Sequence, residues 1–219
     1  EKDGAIALVE IACETDFVAR NEDFIKAGNG MAAQALAKGW DKPVAELSEQ
    51  VQNLAIVIKE NITLKRVVRV EAKAGQYVHS YMHGEGKIGV IVTATSDKPE
   101  VFKNDELATF IHDVALHIAA FRPMFLEQSR IDAGWIKEQE EIFQKQVEGD
   151  EKMKGKPANV VQGILKGKLN KLMSDICLLD QGFVRDEKQK VSAVMAGLGK
   201  TLGAKLSLVD YVYVRVGEA

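Results

Sequence analysis

Residues 4–14 read GAIALVEIACE, and residues 86–96 read GKIGVIVTATS. Aligned without gaps, the two stretches coincide at a glycine, an isoleucine and an alanine, and most other positions are similar. Both are rich in apolar and β-branched residues, which is typical of strands. Each is followed by helical patterns and then by a closing strand, VVRV at 67–70 and YVRV at 213–216. A strand–helix–strand unit is therefore predicted twice, although chance similarity between strands explains the match equally well.

Apolar residues at helical spacing lie between and after these strands. Helices are predicted, with Asn21 as an N-cap of the first, at residues 21–38, 45–61, 104–121 and 190–202. Residues 76–82 and 87–95 flank the tight sequence HGEG and predict a β-hairpin. Residues 132–177 predict two further helices around a polar turn at 155–157, which indicates an antiparallel helical hairpin. The segregation of strands from helices favours an α+β fold.

The composition is ordinary for a globular protein. The chain has 219 residues, of which 46% are hydrophobic and 28% charged. Its net charge of −3 argues against a general nucleic-acid binder, which usually carries a clustered basic excess. No apolar run approaches the roughly 20 residues that a membrane helix needs. Cys13 and Cys177 form no CxxC pair and the histidines form no HExxH motif, so no metal site is predicted and a reducing compartment is expected.

The patterns that suggest catalysis occur in the wrong context. Residues 84–89 (GEGKIG) match GxGxxG, but a strand follows where the dinucleotide fingerprint needs a helix N-terminus to hold pyrophosphate. Residues 199–201 (GKT) imitate the end of a phosphate-binding loop, but Val194 occupies the position of its first glycine. Asp113 and His117 are four residues apart on a predicted helix, and we interpret them as an exposed pair on a solvated face. These patterns therefore assemble no active site and argue against an enzyme.

The segment that follows the first strand reads Thr15-Asp16-Phe17-Val18. It places an acidic and an aromatic side chain at a strand-to-helix turn, where side chains can project. From the residues alone, two interpretations remain open. Asp16 is favoured at a helix start by the helix dipole, and Phe17 is a candidate core aromatic. Alternatively, both side chains form a projecting contact surface.

Residues 13–24 (CETDFVARNEDF) closely resemble the TDFVA-type motif of the elongation factor Ts family, the guanine nucleotide exchange factors of elongation factor Tu in bacteria and organelles. The resemblance continues, in chain order, at residues 59–62 (KENI), 66–67 (RV), 80–84 (SYMHG), 88–90 (IGV), 117–120 (HIAA) and 214–218 (VRVGE). It therefore spans nearly the whole chain.

The resemblance implies an α+β fold of two related lobes, each a small antiparallel sheet packed with helices, and an inserted antiparallel helical hairpin that forms a coiled-coil module. On this basis we expect an N-terminal core lobe at residues 1–74 and a C-terminal core lobe at residues 75–129 and 179–219. The helical hairpin is expected at residues 130–178.

The resemblance also implies nucleotide exchange by protein contact. Asp16 and Phe17, with Val18 in the same segment, match the residues that the family inserts near the partner's magnesium and phosphate site. His83 matches a histidine that approaches the partner's phosphate-binding loop, and Ile58 matches an apolar contact to a partner helix. From the residues alone, His83 reads as a hairpin-turn residue and Ile58 equally as a core residue. Magnesium and GDP belong to the partner, so this chain is expected to bind no cofactor and no metal.

Three departures from the family pattern are expected to matter. The family normally begins with a small helical domain that resembles a ubiquitin-associated fold, whereas this sequence starts at Glu1 without a methionine, as a fragment or processed chain does. Lys59 stands where the family commonly has glycine, and residues 97–105 form a longer segment than usual. A contact made through Lys59 is therefore expected to differ.

The expected partner is elongation factor Tu, without direct nucleic-acid or membrane binding. The expected location is the cytoplasm, with the mitochondrial matrix or a plastid as the alternative. Two other functions stay open: a structural protein that forms homodimers through the helical hairpin, and a nucleotide-binding enzyme that uses residues 84–89.

Overall fold

The computed structural model describes residues 1–2, 4–150 and 156–218. The elements of the first lobe are, in chain order, β1 (Ala5–Ala12), α1 (Asp16–Ala19), α2 (Glu22–Lys38), α3 (Ala45–Ile58) and β2 (Thr63–Glu71). Those of the second lobe are β3 (Gln76–His83), β4 (Ile88–Ser96), a 3₁₀ helix (Pro99–Lys103), α4 (Asp105–Phe121), β5 (Gly182–Phe183), β6 (Asp186–Lys190), α7 (Val191–Leu202) and β7 (Leu206–Arg215). The inserted hairpin comprises α5 (Ala133–Gly149) and α6 (Ala158–Ile176). The predicted α+β fold is confirmed.

Two antiparallel sheets form the centre of the molecule. β1 pairs with β2, and β4 lies between β3 and β7. The inner faces of the two sheets pack on each other through a cluster that includes Ile6, Val78 and Ile91. Gly89 lies where they approach closely, since a Cβ built there would meet Leu8 Cδ1 at 2.2 Å. Any larger residue at this position would force the Leu8 side chain to move.

The helices cover the outer faces of the sheets. α2 and α3 pack on the β1–β2 sheet around buried residues such as Met31, Leu47 and Val67. α4 and α7 pack on the three-stranded sheet around residues such as Val90 and Ile111. Each lobe is therefore a sheet with helices on one face, and burial of apolar side chains on both faces of each sheet stabilises the arrangement.

Equivalent features of the two lobes recur at constant offsets in residue number. Asn21 and Asn104, 83 positions apart, are the N-caps of α2 and α4, and each of these helices has 17 residues. Gly39 and Arg122, also 83 positions apart, end those helices in the left-handed conformation. The closing strands β2 and β7 carry a bulge at residues 65 and 209, 144 positions apart, opposite the equivalent ends of β1 and β4. A β-bulge is a specific feature, so its recurrence supports duplication of the lobe.

The gapless alignment of residues 4–14 with 86–96 is out of register by one residue. It places Ile6 against Ile88, but Ile6 faces the other sheet whereas Ile88 packs towards the helices of its own lobe. The offset of 83 instead pairs Leu8 with Ile91, and these two side chains belong to the same inter-sheet cluster. Since successive strand residues alternate between faces, a one-residue slip exchanges the two faces of the strand.

The helical hairpin is antiparallel, as predicted. Phe125 contacts both of its ends: its ring lies 6.1 Å from that of Trp135 at the start of α5, and its backbone bridges to Cys177 just after α6. The arms pack on each other, with Val147 and Leu169 buried. Gly155, in the predicted turn, lies outside the described residues.

The interpretation of Asp113 and His117 as an exposed pair is wrong. Their exposures are 6% and 0%, because the chain that returns from the helical hairpin covers this side of α4. Asp113 accepts a hydrogen bond of 2.7 Å from Arg185, and His117 Nε2 lies 2.8 Å from Gln181 Oε1. The helical period correctly placed both residues outside the main apolar stripe, but it carries no information about a segment that is 64–72 residues away in sequence.

Among the described residues, no helix has the length and hydrophobicity needed to cross a membrane.

Candidate partner-binding site

The segment Thr15–Val18 forms a tight turn of helix after β1. The Thr15 side chain is the N-cap of α1 and accepts a hydrogen bond of 3.3 Å from the Val18 amide, a role that threonine commonly takes at a helix start. Asp16 lies in the first turn, where a negative charge is favoured. Val18 is buried in the core of the first lobe and anchors the turn, so its side chain offers little surface to a partner.

Phe17 projects from this turn into solvent with 90% of its surface exposed. It is therefore no part of the core. The second lobe shows that the fold needs no aromatic residue at this position, since 83 residues later stands Glu100, also exposed, whereas Val101 packs inward like Val18. Phe17 is therefore a candidate contact residue, because the fold gives its ring no packing role.

Two exposed ion pairs connect α1 to the tip of the β3–β4 hairpin. Asp16 Oδ1 lies 3.3 Å from Lys87 Nζ, and Glu85 Oε2 lies 3.2 Å from Arg20 Nε. Each such pair contributes about 0–1 kcal/mol. Between α1 and the hairpin tip lies a groove of about 720 Å³. The Asp16–Phe17 turn and the hairpin tip therefore form one continuous surface.

His83, at the end of β3, is exposed on this surface. Its Nδ1 lies 3.0 Å from the hydroxyl of Tyr81, which holds the imidazole ring at one edge of the groove. The hairpin turns through Gly84, Glu85 and Gly86, all with positive φ. Two glycines in such a turn are expected, because glycine adopts this conformation at no steric cost. The structure thus places Asp16 and His83 on the lining of one groove, and Phe17 follows Asp16 in the same exposed turn.

Ile58 is more buried than Asp16, Phe17 and His83. It is half-buried against the core of the first lobe. Its neighbours Ile56 and Val57 are 74% and 77% exposed on the last turn of α3. Sequence reasoning missed this pair, although the run Ile56-Val57-Ile58 contains the signal: three consecutive apolar residues cannot all face one side of a helix.

The sequence patterns that suggest catalysis can be compared with their structural context in the described residues. No group of three or more potential metal ligands occurs among them. Burial raises the pKa of the Cys13 thiol, and the Glu60 carboxylate raises it further, so this thiol is a poor nucleophile. Residues 84–89 form the predicted hairpin followed by strand β4, and residues 199–201 lie in α7, so neither glycine pattern has the context that a phosphate-binding loop requires.

The geometry is that of a candidate protein-contact surface: an exposed aromatic ring on an anchored turn, beside a charged hairpin tip. Comparison with known proteins identifies the family. The family profile described as "Elongation factor TS" matches residues 14–218. Proteins named elongation factor Ts from Treponema denticola, Borrelia recurrentis and Borreliella burgdorferi are 44%, 41% and 38% identical to the chain, over 96–97% of its length and 74–75% of theirs. The chain belongs to the elongation factor Ts family. This family has a role in translation elongation and acts by nucleotide exchange rather than by enzymatic catalysis.

Proposed function

We propose that this chain promotes the release of GDP from elongation factor Tu by inserting Phe17 beside the partner's magnesium and phosphate site. The observation that carries the proposal is the 90% exposure of Phe17 on a turn that Thr15 caps and Val18 anchors. A flexible loop would lose entropy on docking, whereas a turn already held in place loses little. The exposed ring is thus presented ready to bind.

The physical basis of exchange is the energy of burying the ring. Complete burial of a phenylalanine side chain contributes about 1.5–3 kcal/mol. If the ring fits only a partner whose helices have shifted, this energy stabilises the shifted state and displaces the ligands of the magnesium ion. Asp16 adds a negative charge at the same point, and His83 adds a second contact, to the partner's phosphate-binding loop. No covalent step is needed, and magnesium and GDP stay in the partner's site.

Thermodynamic linkage gives the first test. A factor that weakens GDP binding must itself be bound more weakly, by the same ratio, when GDP is present. The complex with nucleotide-free elongation factor Tu should therefore form on a sizing column and dissociate when GDP and magnesium are added in excess. A complex that is indifferent to GDP contradicts the proposal.

The decisive experiment measures the release of fluorescent GDP from elongation factor Tu at increasing concentrations of the chain. We expect Phe17→Ala to lower the maximal release rate at least tenfold and to leave the unfolding midpoint in urea almost unchanged, since the ring touches little of its own protein. Glu100→Ala, at the equivalent turn of the second lobe, is the matched control and should exchange normally. Equal release by Phe17→Ala and the parent chain would exclude the insertion of Phe17.

The domain division and the location remain part of the proposal. We assign residues 1–74 to the lobe that carries Phe17, residues 75–129 and 179–219 to the lobe that carries His83, and residues 130–178 to the helical hairpin. We place the protein in the cytoplasm, where translation takes place in bacteria. Removal of the hairpin should preserve GDP release. Loss of release together with loss of a dimer would favour the alternative of a homodimer.

A further inference from the structure

Glu60, which follows α3, accepts two hydrogen bonds from Thr15, the N-cap residue of α1. Its Oε1 accepts a hydrogen bond of 2.6 Å from the Thr15 hydroxyl, and its Oε2 accepts one of 3.2 Å from the Thr15 amide. Bonds to a carboxylate are stronger than neutral ones. The Glu60 side chain thus holds Thr15 at two atoms, although the two residues are 45 positions apart.

The same contact orients the cap of the turn. Because the Thr15 hydroxyl proton points to Glu60, an oxygen lone pair is left for the Val18 amide at 3.3 Å. The carboxylate, the hydroxyl and the amide form a chain of hydrogen bonds that ends in α1. The direction in which the Phe17 side chain projects depends on this backbone, because the ring is 90% exposed and its own protein packs against little of it.

The backbone before Glu60 explains how it reaches Thr15. Lys59 ends α3 in the left-handed conformation, with φ of 62°, and its amide donates to the Ala55 carbonyl. This reversal carries the chain off the helix axis towards the start of α1. An unfavourable conformation at a non-glycine residue is retained here, which is consistent with a requirement on the residue that follows.

The second lobe has an equivalent connection made by different chemistry. Lys98, 83 positions after Thr15, donates through Nζ to the carbonyl of Gly203 at 2.7 Å, and Gly203 is 144 positions after Lys59. That contact is a flexible bond from a lysine side chain, beside which the Lys205 amide donates to the Asp97 carboxylate at 2.7 Å. The turn that follows carries Glu100 in place of Phe17. One side chain holds the N-cap residue at two atoms in the lobe that carries the exposed ring.

We infer that Glu60 is a positioning residue for nucleotide exchange: it fixes the Thr15 cap and thereby the orientation in which Phe17 meets the partner. The inference rests on the proposed function and extends it to a residue outside the expected contact set. Glu60 acts through Phe17, so its effect on exchange must disappear when the ring is absent. A residue that only stabilises the lobe would lower exchange by the same factor with or without the ring.

The experiment is a double-mutant cycle on the maximal rate of fluorescent GDP release from elongation factor Tu, with the full chain. We expect Glu60→Ala to lower this rate about tenfold when Phe17 is present and less than twofold in the Phe17→Ala background. Glu60→Gln, which retains one acceptor oxygen, should recover part of the loss. Lys98→Ala removes the lysine bond in the other lobe and should leave the rate unchanged.

Hydrogen exchange gives an independent readout in the absence of the partner. The Val18 amide should exchange faster in Glu60→Ala than in the parent chain, whereas amides in α2 should keep their protection. Equal losses of release rate in both Phe17 backgrounds overturn the positioning role and leave the proposed function intact. If Phe17→Ala alone leaves GDP release unaltered, the insertion of Phe17 and the role of Glu60 are both excluded.

Discussion

Lys59 and Gly203 occupy equivalent positions in the two lobes and share one left-handed backbone conformation, with φ of 62° at each. Each ends the second packed helix of its lobe, α3 or α7, and each is followed by the closing strand. For glycine this conformation is unstrained, whereas the Cβ of lysine meets the neighbouring backbone. Comparison of the two lobes therefore indicates that this backbone position favours glycine over lysine.

We predict that Lys59→Gly raises the free energy of unfolding by about 0.5–1 kcal/mol. Relief of left-handed strain is worth about 1–2 kcal/mol, and the greater freedom of glycine in the unfolded chain offsets part of it. Urea unfolding followed by circular dichroism measures the change. Lys59→Ala keeps the Cβ and is the control, for which little change is expected. A stabilisation by Lys59→Ala as large as that by Lys59→Gly would show that the lysine side chain, not the backbone, is unfavourable.

The close approach of the sheets gives a second prediction. In Gly89→Ala the new methyl group would meet Leu8 Cδ1 at 2.2 Å, so the variant should lose about 1–3 kcal/mol of stability by overpacking. In the Leu8→Ala background, which removes the opposing atoms, the same change should cost much less. Gly30→Ala is the matched control, because Gly30 lies in α2 with open space around it and alanine favours a helix. Additive costs at positions 8 and 89 would contradict the contact between the sheets.

The elements of the fold follow largely from local signals in the sequence. Asn21 and Asn104 mark the starts of α2 and α4, because an asparagine side chain caps the free amides of a helix start. Gly84 and Gly86 mark the hairpin, because glycine readily adopts the positive φ that its tight turn requires. Such signals act over a few residues and can be read without knowledge of the tertiary structure.

What the sequence did not predict depends on residues that are distant along the chain. The exposed face expected for Asp113 is covered by Arg185, and the cap at Thr15 is held by Glu60. The register of the repeat was missed by one residue, because the coincident letters fall on opposite faces of the strands. In the site, the motif indicated Phe17 and His83, but only the structure shows that Ile56 and Val57 are exposed beside Ile58.

Burial of His117 makes stability depend on pH. Burial lowers the pKa of the imidazole, more than its hydrogen bond to Gln181 raises it. Its Nδ1 is buried without a hydrogen-bond partner in the described part of the chain, so a proton added there would find no acceptor. Because the folded pKa lies below the ordinary value of about 6.5, the neutral form contributes stability above that pH. This contribution decreases as the pH falls below 6.5 and is lost at the lower folded pKa.

We therefore predict that the free energy of unfolding declines between pH 7 and pH 5, by up to about 1.4 kcal/mol per pH unit for each such histidine. His79, whose pKa is lowered by burial and by the neighbouring His112 against an opposing effect of Glu1, contributes with the same sign. Urea unfolding at several pH values measures the slope, which His117→Gln should reduce. Should that variant fail to fold, the His117 ring signals in NMR give the answer directly: titration near pH 6.5 in the native chain would refute the assignment.

The exposed pair Ile56 and Val57 gives the last prediction, which separates binding from exchange. Both side chains lie on the last turn of α3, and Glu60, which follows that turn, is bonded to the cap of α1 that carries Phe17. Burial of two such aliphatic groups at a partner surface contributes a few kcal/mol at most. If they add affinity without shifting the partner's magnesium ligands, the double variant Ile56→Ser, Val57→Ser should raise the half-saturating concentration for GDP release at least tenfold.

The maximal release rate of the double variant should stay within twofold of the parent chain, in contrast to Phe17→Ala, which should lower that rate. Removing exposed apolar side chains costs the free protein little, so the unfolding midpoint in urea should hold. Ile142→Ser on the helical hairpin, also an exposed isoleucine, controls for the loss of an apolar surface residue in general. If the double variant lowers the maximal rate while the half-saturating concentration stays constant, Ile56 and Val57 act in the exchange step itself, and the division of labour between α3 and the Phe17 turn is wrong.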